Sequence, residues 1–231
     1  MCGRYVQTSP AEALAARFGA RLAEGRSFAP RWNVAPGTLA PVVRSGTDGP
    51  ELTLLSWGLL PSWARDAAGP RPINARAEGI AARPMFREAL ARRRALVPAD
   101  GFYEWAGSGQ TKTPWHFRLR GGAPFAFAGI WERHAAPGEA PVETFAIVTT
   151  EANDLVRPVH ARMPVILDAE TEELWRRAGT LSPAEASRCL RPLGAGETEA
   201  WPVSPWVNAP SHEGPRCVEP APCPGPGSGT A

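Results

Sequence analysis

The run Phe125-Ala126-Phe127-Ala128-Gly129-Ile130-Trp131 indicates how this chain folds. It is short and rich in residues that favour β-strands. Six more β-rich runs lie along the chain, at residues 41–44, 52–57, 95–98, 115–119, 144–149 and 164–167. Turn signals such as Gly121-Gly122 and Pro137-Gly138 separate them. The sequence therefore predicts a sheet of many short strands.

Two capping boxes predict helices. Ser9-Pro10-Ala11-Glu12 places proline at the first helical position, and the helix should run to about Phe18, where Gly19 stops it. Ser182-Pro183-Ala184-Glu185 repeats this signature for a helix to about Leu190.

Two further helices are predicted over residues 84–93 and 169–177, the second closed by Gly179. Many strands with a few peripheral helices are typical of an α+β fold. We expect its sheet to be mostly antiparallel and curved or barrel-like.

The length of 231 residues, with 43% hydrophobic and 21% charged residues, suits one large domain, which we place at residues 2–220. The Pro/Gly-rich residues 221–231 cannot bury a core and are predicted to be a disordered tail. No run approaches the ~18 apolar residues of a membrane span, and no signal pattern opens the chain. We therefore expect a cytoplasmic protein with no membrane partner.

The cysteines and the charges exclude several classes of protein. The four cysteines show no C-x-x-C spacing, so neither a zinc site nor a disulfide framework is predicted: Cys2, Cys189, Cys217 and Cys223. A net charge of +2 does not by itself indicate nucleic acid binding. Lys112 is the only lysine, so 24 of the 25 basic residues are arginine, the better phosphate ligand. An amine nucleophile would have to be Lys112 or the N-terminus.

Cys2 follows the initiator Met1 directly, and removal of Met1 would make Cys2 the N-terminus. It would then carry an α-amine with a pKa of about 7.7–8.0 beside a thiol with a pKa of about 8.5, so a useful fraction of each should be reactive at neutral pH. Such a 1,2-aminothiol condenses with an aldehyde to an imine, and the thiol then closes a thiazolidine ring.

Three other segments place polar residues where the strand pattern does not require them: residues 72–78 with Asn74, residues 98–105 with Glu104 among aromatics, and residues 159–164 with His160. Each has an ordinary alternative. Asn74 could bond its own turn, Glu104 could be a surface carboxylate rather than a half-buried general acid, and His160 could be a satisfied core or surface histidine. Most of the nine tryptophans are expected in the core.

Together these segments resemble the SOS response-associated peptidase (SRAP) family. The resemblance rests on motifs that recur in the family's order from Cys2 to about Pro220. They are Cys2-Gly3-Arg4-Tyr5, Trp32-Asn33-Val34-Ala35-Pro36-Gly37, Trp57-Gly58-Leu59, Asn74-Ala75-Arg76, Asp100-Gly101-Phe102-Tyr103-Glu104-Trp105, His160-x-Arg162-Met163-Pro164 and the closing segment 214–220. One departure is Ala161, where the family often has Asp, which puts the fine tuning of His160 in doubt.

The resemblance implies covalent capture of abasic sites in single-stranded DNA by Cys2, through an imine and then a thiazolidine crosslink that shields the lesion. Glu104 would protonate the sugar ring oxygen, His160 would be a second acid/base group, and Asn74 would hold the N-terminus and the sugar. The implied DNA contacts are phosphate contacts from arginines and base stacking from tryptophans: Arg4, Arg76, Arg83, Arg162, Trp63 and Trp105. We expect no metal or other cofactor, a monomer, and association with the bacterial nucleoid during repair.

Two other functions remain open at this point. One is an N-terminal-nucleophile amidohydrolase, since glutamine amidotransferases also begin Met-Cys-Gly, in which the thiol would attack an amide; an autoprotease is a variant of it. A non-covalent reader of single-stranded or modified DNA would use arginines and tryptophans alone, with salt-sensitive binding and no covalent bond.

Overall fold

The protein is described from a computed structural model, which covers residues 2–65, 69–107, 112–136 and 138–222. The described residues form fourteen strands and four helices, so the predicted α+β class is confirmed. The strands are β1 Tyr5–Gln7, β2 Arg21–Leu22, β3 Arg31–Val34, β4 Leu39–Gly46, β5 Gly49–Trp57, β6 Asn74–Arg76, β7 Arg94–Ala99, β8 Gly101–Ala106, β9 Thr113–Leu119, β10 Phe125–His134, β11 Val142–Glu151, β12 Arg162–Pro164, β13 Ile166–Leu167 and β14 Thr198–Pro202. The helices are α1 Ala11–Arg17, α2 Pro84–Arg92, α3 Ala169–Arg176 and α4 Pro183–Cys189.

All seven β-rich runs lie in strands, and the predicted barrel is confirmed. β4, β5, β11, β10 and β7 pair in a closed ring. The pairing of β5 with β11 closes the ring and is parallel, whereas the other four pairings are antiparallel. The run 164–167 is divided between β12 and β13 at Val165.

A second sheet lies beside the barrel, with strand order β14-β9-β8-β1-β3. The chain passes into it directly from the barrel, because only Asp100 separates β7 from β8. Its N-terminal strand β1 lies between β8 and β3. The two residues before Arg4 are thereby brought to the junction of sheet and barrel.

The four predicted helices are present, but the capping box at Ser9 is wrong. Pro10 is the N-cap residue of α1, with no side-chain cap. The Ser9 hydroxyl donates instead to Asp100 Oδ1 (2.5 Å), and the Ser9 N–H donates to Asp100 Oδ2 (2.9 Å). The charge-assisted bonds of Ser9 to the Asp100 carboxylate are stronger than a bond between its hydroxyl and a helix amide. Ser9 therefore bonds Asp100 and does not cap α1. The capping box of Ser182 and Glu185 on α4 is confirmed.

Alternate residues of the barrel strands face two different cores. Phe127 and Phe145 pack with Tyr5 and Phe102 of the second sheet, in a cluster that also contains Cys2. The neighbouring residues on the same strands are small and pack against the helices: Ala126, Ala128, Ala146 and Val148. The helices contribute large side chains to this second core, namely Trp175, Phe86 and Leu14. Among the described helices, none is long and apolar enough to span a membrane. Residues 223–231 of the predicted tail lie outside the described residues.

Arg94 joins the C-terminal ends of α2 and α3. Its side chain is buried, and its three nitrogens donate to five backbone carbonyl oxygens, of Leu90, Ala91, Trp175, Arg177 and Gly179. The last carbonyls of a helix have no partner within the helix, so one guanidinium satisfies groups from both ends.

We expect Arg94→Met to lower the free energy of unfolding by about 3 kcal/mol or more, because it leaves buried carbonyl groups without donors. The exposed neighbour Arg92→Met is the matched control and should change it by no more than about 0.5 kcal/mol. Urea denaturation of both variants measures the difference. Equal effects of the two substitutions would contradict this role for Arg94.

Candidate active site

The four predicted catalytic residues meet where the barrel adjoins the second sheet. The Asn74 amide donates to the Cys2 carbonyl oxygen over 2.9 Å. The negative charge of Glu104 acts on the Cys2 thiol, and a Glu104 carboxylate oxygen lies 3.9 Å from His160 Nδ1. Residues from four separate segments of the chain therefore form one site.

Cys2 is fixed by the strand that follows it. The Arg4 carbonyl accepts the Tyr103 N–H (3.0 Å) from β8 and also the Cys2 thiol (3.7 Å). The Cys2 side chain is buried, and burial, reinforced by the Glu104 charge, raises the pKa of its thiol well above the usual range. Burial therefore opposes the partly ionised thiol that the sequence predicts at neutral pH, because a buried thiolate would lose its hydration.

Asn74 lies on β6, which pairs in parallel with the barrel strand β11, Asn74 opposite Ile147. Its side chain bonds Cys2 rather than its own turn. Its Oδ1 is buried and accepts no hydrogen bond from the part of the chain that the structure describes. The amide thus has an acceptor next to Cys2 with capacity for a further donor.

Glu104 is in the middle of β8, between Tyr103 and Trp105. Its side chain is only 4% exposed, so the alternative of a surface carboxylate is wrong. Burial raises the pKa of the Glu104 carboxyl, since the charged form loses hydration. A carboxyl group that keeps its proton to higher pH suits a general acid.

His160 is presented by a tight turn after β11. The Asn153 carboxamide oxygen accepts the N–H groups of Leu155 and Val156, and the His160 N–H bonds the Val156 carbonyl (2.9 Å). The Arg162 N–H donates to His160 Nδ1 (2.9 Å). The Arg162 carbonyl oxygen also lies 3.0 Å from Nδ1, so the backbone of Arg162 offers a hydrogen-bond partner to either tautomer of the ring. The backbone thus sets the ring orientation although residue 161 is alanine.

Two of the predicted DNA contacts share an open cavity with Asn74. Arg76 and Arg83 are exposed and line a cavity of about 480 Å³ together with Pro72, Met85 and Phe86. Trp63 is 62% exposed, in the loop that follows β5. These three side chains are therefore accessible to a ligand at the site.

The other three predicted DNA contacts are engaged by the protein itself. Arg4 donates to Asn33 and to two backbone carbonyls, and Trp105 Nε1 donates to Asn208 Oδ1 (2.8 Å). Arg162 forms a two-pronged bond to Glu78 with both distances at 2.8 Å, and it also donates to the Thr149 carbonyl (2.7 Å). Their contact with DNA stays a prediction.

The sequence does not reveal the roles of several residues that shape the site. Asn33, Glu78 and Asp100 lie in motifs or segments that the sequence singles out, but their bonds to Arg4, to Arg162 and to Thr8 and Ser9 are long-range and follow from no local pattern. Asn153, which donates to the Leu193 carbonyl, lies outside all of those segments. Within the described ranges, no group of three or more histidine, cysteine or acidic side chains is placed to hold a metal ion.

Comparison with known proteins confirms the resemblance. The family SOS response associated peptidase (SRAP) matches residues 1–210. Abasic site processing protein YoqW of Bacillus subtilis is 38% identical over 224 residues, which cover 95% of this chain and 99% of YoqW. Abasic site processing protein YedK of Escherichia coli is 30% identical over 226 residues, 95% of this chain and 100% of YedK. A crystal structure of a Bacteroides thetaiotaomicron protein superposes with a TM-score of 0.85 at 28% identity, covering 95% and 100% of the two chains.

The chain therefore belongs to the SRAP family. Both named relatives are abasic site processing proteins, so the family is associated with this kind of DNA lesion.

The raised pKa of Glu104 should appear in the pH dependence of stability. The folded protein binds this proton more tightly than the unfolded chain, so the stability it contributes is complete below the ordinary glutamate pKa of about 4.3 and is lost as the pH rises through the folded value. As the pH rises over this range, we expect the wild type to lose free energy of unfolding relative to Glu104→Gln. Urea denaturation at a series of pH values measures both free energies of unfolding. A wild type that becomes more stable relative to Glu104→Gln as the pH rises would refute the raised pKa of Glu104.

Proposed function

We propose that this protein captures abasic sites in single-stranded DNA as a covalent crosslink to Cys2, after removal of Met1. The observation that carries the proposal is the meeting of Cys2, Asn74, Glu104 and His160 at one site. The amine and the thiol can form a thiazolidine with an aldehyde, and the carboxylic acid and the imidazole can transfer the protons of that reaction.

In the proposed reaction the ring-opened abasic sugar presents an aldehyde at C1′. The Cys2 α-amine adds to this carbon, and the resulting hydroxyl accepts a proton and leaves as water, which gives the imine. The Cys2 sulfur then adds to the same carbon while its proton passes to the imine nitrogen. The product is a thiazolidine, and one water is released overall.

The environment of Cys2 supports the order in which its two nucleophiles act. Burial keeps the thiol protonated, so it is a poor first nucleophile. The α-amine has an ordinary pKa of about 7.7–8.0, so a useful fraction is neutral at physiological pH. The amine would therefore form the first bond, and the thiol would close the ring.

The polar residues support separate proton transfers. Glu104, with its raised pKa, can protonate the sugar ring oxygen as the ring opens. His160, whose Nδ1 lies 3.9 Å from a Glu104 carboxylate oxygen, can assist the loss of water as a second acid/base group. The Asn74 Oδ1 can accept a hydrogen bond from the new α-amine while its Nδ2 holds the Cys2 carbonyl.

The exposed Arg76 and Arg83 would contact phosphates on either side of the lesion, and Trp63 would stack on a base. The cavity that Arg76 and Arg83 share with Asn74 could take the sugar-phosphate backbone. This would bring the abasic carbon to Cys2.

A denaturing gel tests the crosslink, with oligonucleotide containing uracil before and after uracil excision. We expect a shifted band for the wild type only with the abasic strand. Cys2→Ser keeps the α-amine but cannot form the stable thiazolidine, so its band should appear only after borohydride reduction. Cys189→Ser, which alters another buried thiol, is the matched control and should crosslink like the wild type.

An extension that leaves residues before Cys2 should abolish the crosslink, since the amine becomes an amide. Full crosslinking by such a protein would overturn the role of the α-amine. Binding with no band under any condition would favour the non-covalent reader.

Glu78 is expected to restrain DNA binding by occupying Arg162, because its carboxylate imitates a phosphate on the guanidinium. Glu78→Gln should strengthen binding to a strand with a tetrahydrofuran abasic analogue several-fold at low salt, and should steepen the salt dependence by about one phosphate contact. Fluorescence anisotropy at several salt concentrations measures both.

Glu170→Gln makes the same charge change at an exposed pair with Arg188 and serves as the control. If Glu78→Gln binds no more tightly than Glu170→Gln, the competition between Glu78 and phosphate is refuted.

A further inference from the structure

Asn33 connects the N-terminal strand to the C-terminal part of the chain. It is fully buried on β3. Its Oδ1 accepts from the Arg4 guanidinium (2.9 Å), and its Nδ2 lies within hydrogen-bond distance of the carbonyl oxygens of Val207, Ala209 and His212 (2.9 to 3.1 Å). Both ends of one carboxamide are thus engaged, which fixes its orientation.

We call residues 204–217 the C-terminal clamp, because their backbone also surrounds Arg4. The Arg4 guanidinium donates to the carbonyls of Val207 (3.0 Å) and Asn208 (3.3 Å). None of the ion pairs found in the described ranges involves Arg4, so its charge is balanced mainly by carbonyl and carboxamide dipoles.

The C-terminal clamp is held in place by bonds that do not involve Arg4. The Glu213 carboxylate accepts from Arg31 Nε and from the Trp32 N–H, both at 2.8 Å. The Trp206 ring is stacked on His212 with a centroid distance of 3.6 Å, and the Arg216 guanidinium lies 4.5 Å from the centre of the same ring. The acceptors around Arg4 are therefore preorganised.

Two sets of hydrogen bonds connect the C-terminal clamp to the site. Arg4 is two residues from Cys2, and its carbonyl accepts both the Cys2 thiol and the Tyr103 N–H. Asn208 Oδ1 accepts from Trp105, the residue after Glu104. The segment that carries the nucleophile and the strand that carries the acid are thus attached to the same support.

We propose that Asn33 is a positioning residue for the crosslinking reaction, which ties Arg4 to the C-terminal clamp and so fixes Cys2 relative to Glu104. This inference rests on the proposed function. Arg4 then acts through its protein contacts, and not as a phosphate ligand as the sequence predicted. A shift of about 1 Å in the reacting atoms can reduce a rate about a hundredfold, so rigid support of Cys2 has a direct kinetic consequence.

Two variants separate positioning from phosphate contact. Asn33→Ala removes the connection, and Arg4→Lys keeps the positive charge but cannot make the bonds to Asn33, Val207 and Asn208 together. At saturating abasic strand, we expect the single-turnover crosslinking rate of either variant to fall about tenfold to a hundredfold. The dissociation constant for the tetrahydrofuran analogue and its salt dependence should stay unchanged.

The reaction with a small aldehyde distinguishes positioning from damage to the nucleophile. Glyoxylate is already an open aldehyde and needs no ring opening by Glu104, so both variants should form its thiazolidine at the wild-type rate. Arg21→Lys, an exposed arginine paired with Glu51, is the matched control and should crosslink DNA normally.

The thermal midpoint of each variant is measured beside the rates, and the rates are compared well below it. If Asn33→Ala does not fold, Arg4→Lys decides the question. A wild-type rate in the folded variants would overturn the proposal, and so would weaker DNA binding with a salt slope reduced by about one contact, which indicates a phosphate ligand. A wild type that never crosslinks would refute the proposed function itself, and this inference with it.

Discussion

The hydrogen bonding of β11 is the constraint on which the site depends. This strand pairs with β10 and β5 in the barrel, and further along with β6 and β12. The register sets Asn74 opposite Ile147 and Arg162 opposite Glu151. A slip by one residue would turn the Asn74 side chain to the other face of its strand, away from Cys2. Closing the barrel and assembling the site are therefore one structural event.

Burial sets the chemistry of the site once it is assembled. Around Cys2 and Glu104 it raises both pKa values, so the neutral forms of thiol and carboxyl group are favoured. An acid that holds its proton to higher pH suits a condensation in which a proton must be given and then recovered. The exposed arginines lie further out, where water can screen them and DNA phosphates can approach.

The sequence predicts the parts of the fold that depend on local patterns. The long barrel strands β10 and β11 and all four helices were found from β-rich runs and helix signals. The sequence does not predict the short strands β1, β2, β3 and β6, because each has only two to four residues and exists through pairing with distant strands, and it also misses the longer strands β8 and β14. The motifs also identified Cys2, Asn74, Glu104 and His160, but not their supports. Asn33 and Glu78 form hydrogen bonds with residues far along the chain. Ser9 bonds Asp100 instead of capping α1, because only the folded chain brings that carboxylate near.

The central claim is that a free α-amine at Cys2 takes part in the covalent bond. Intact-mass spectrometry of the denatured complex, followed by mapping of the linked peptide, tests it most directly. The account predicts the mass of the protein without Met1 plus that of the abasic strand, less one water, with the DNA on Cys2. A complex that retains Met1, or that carries the DNA on Lys112 or another residue, would contradict it.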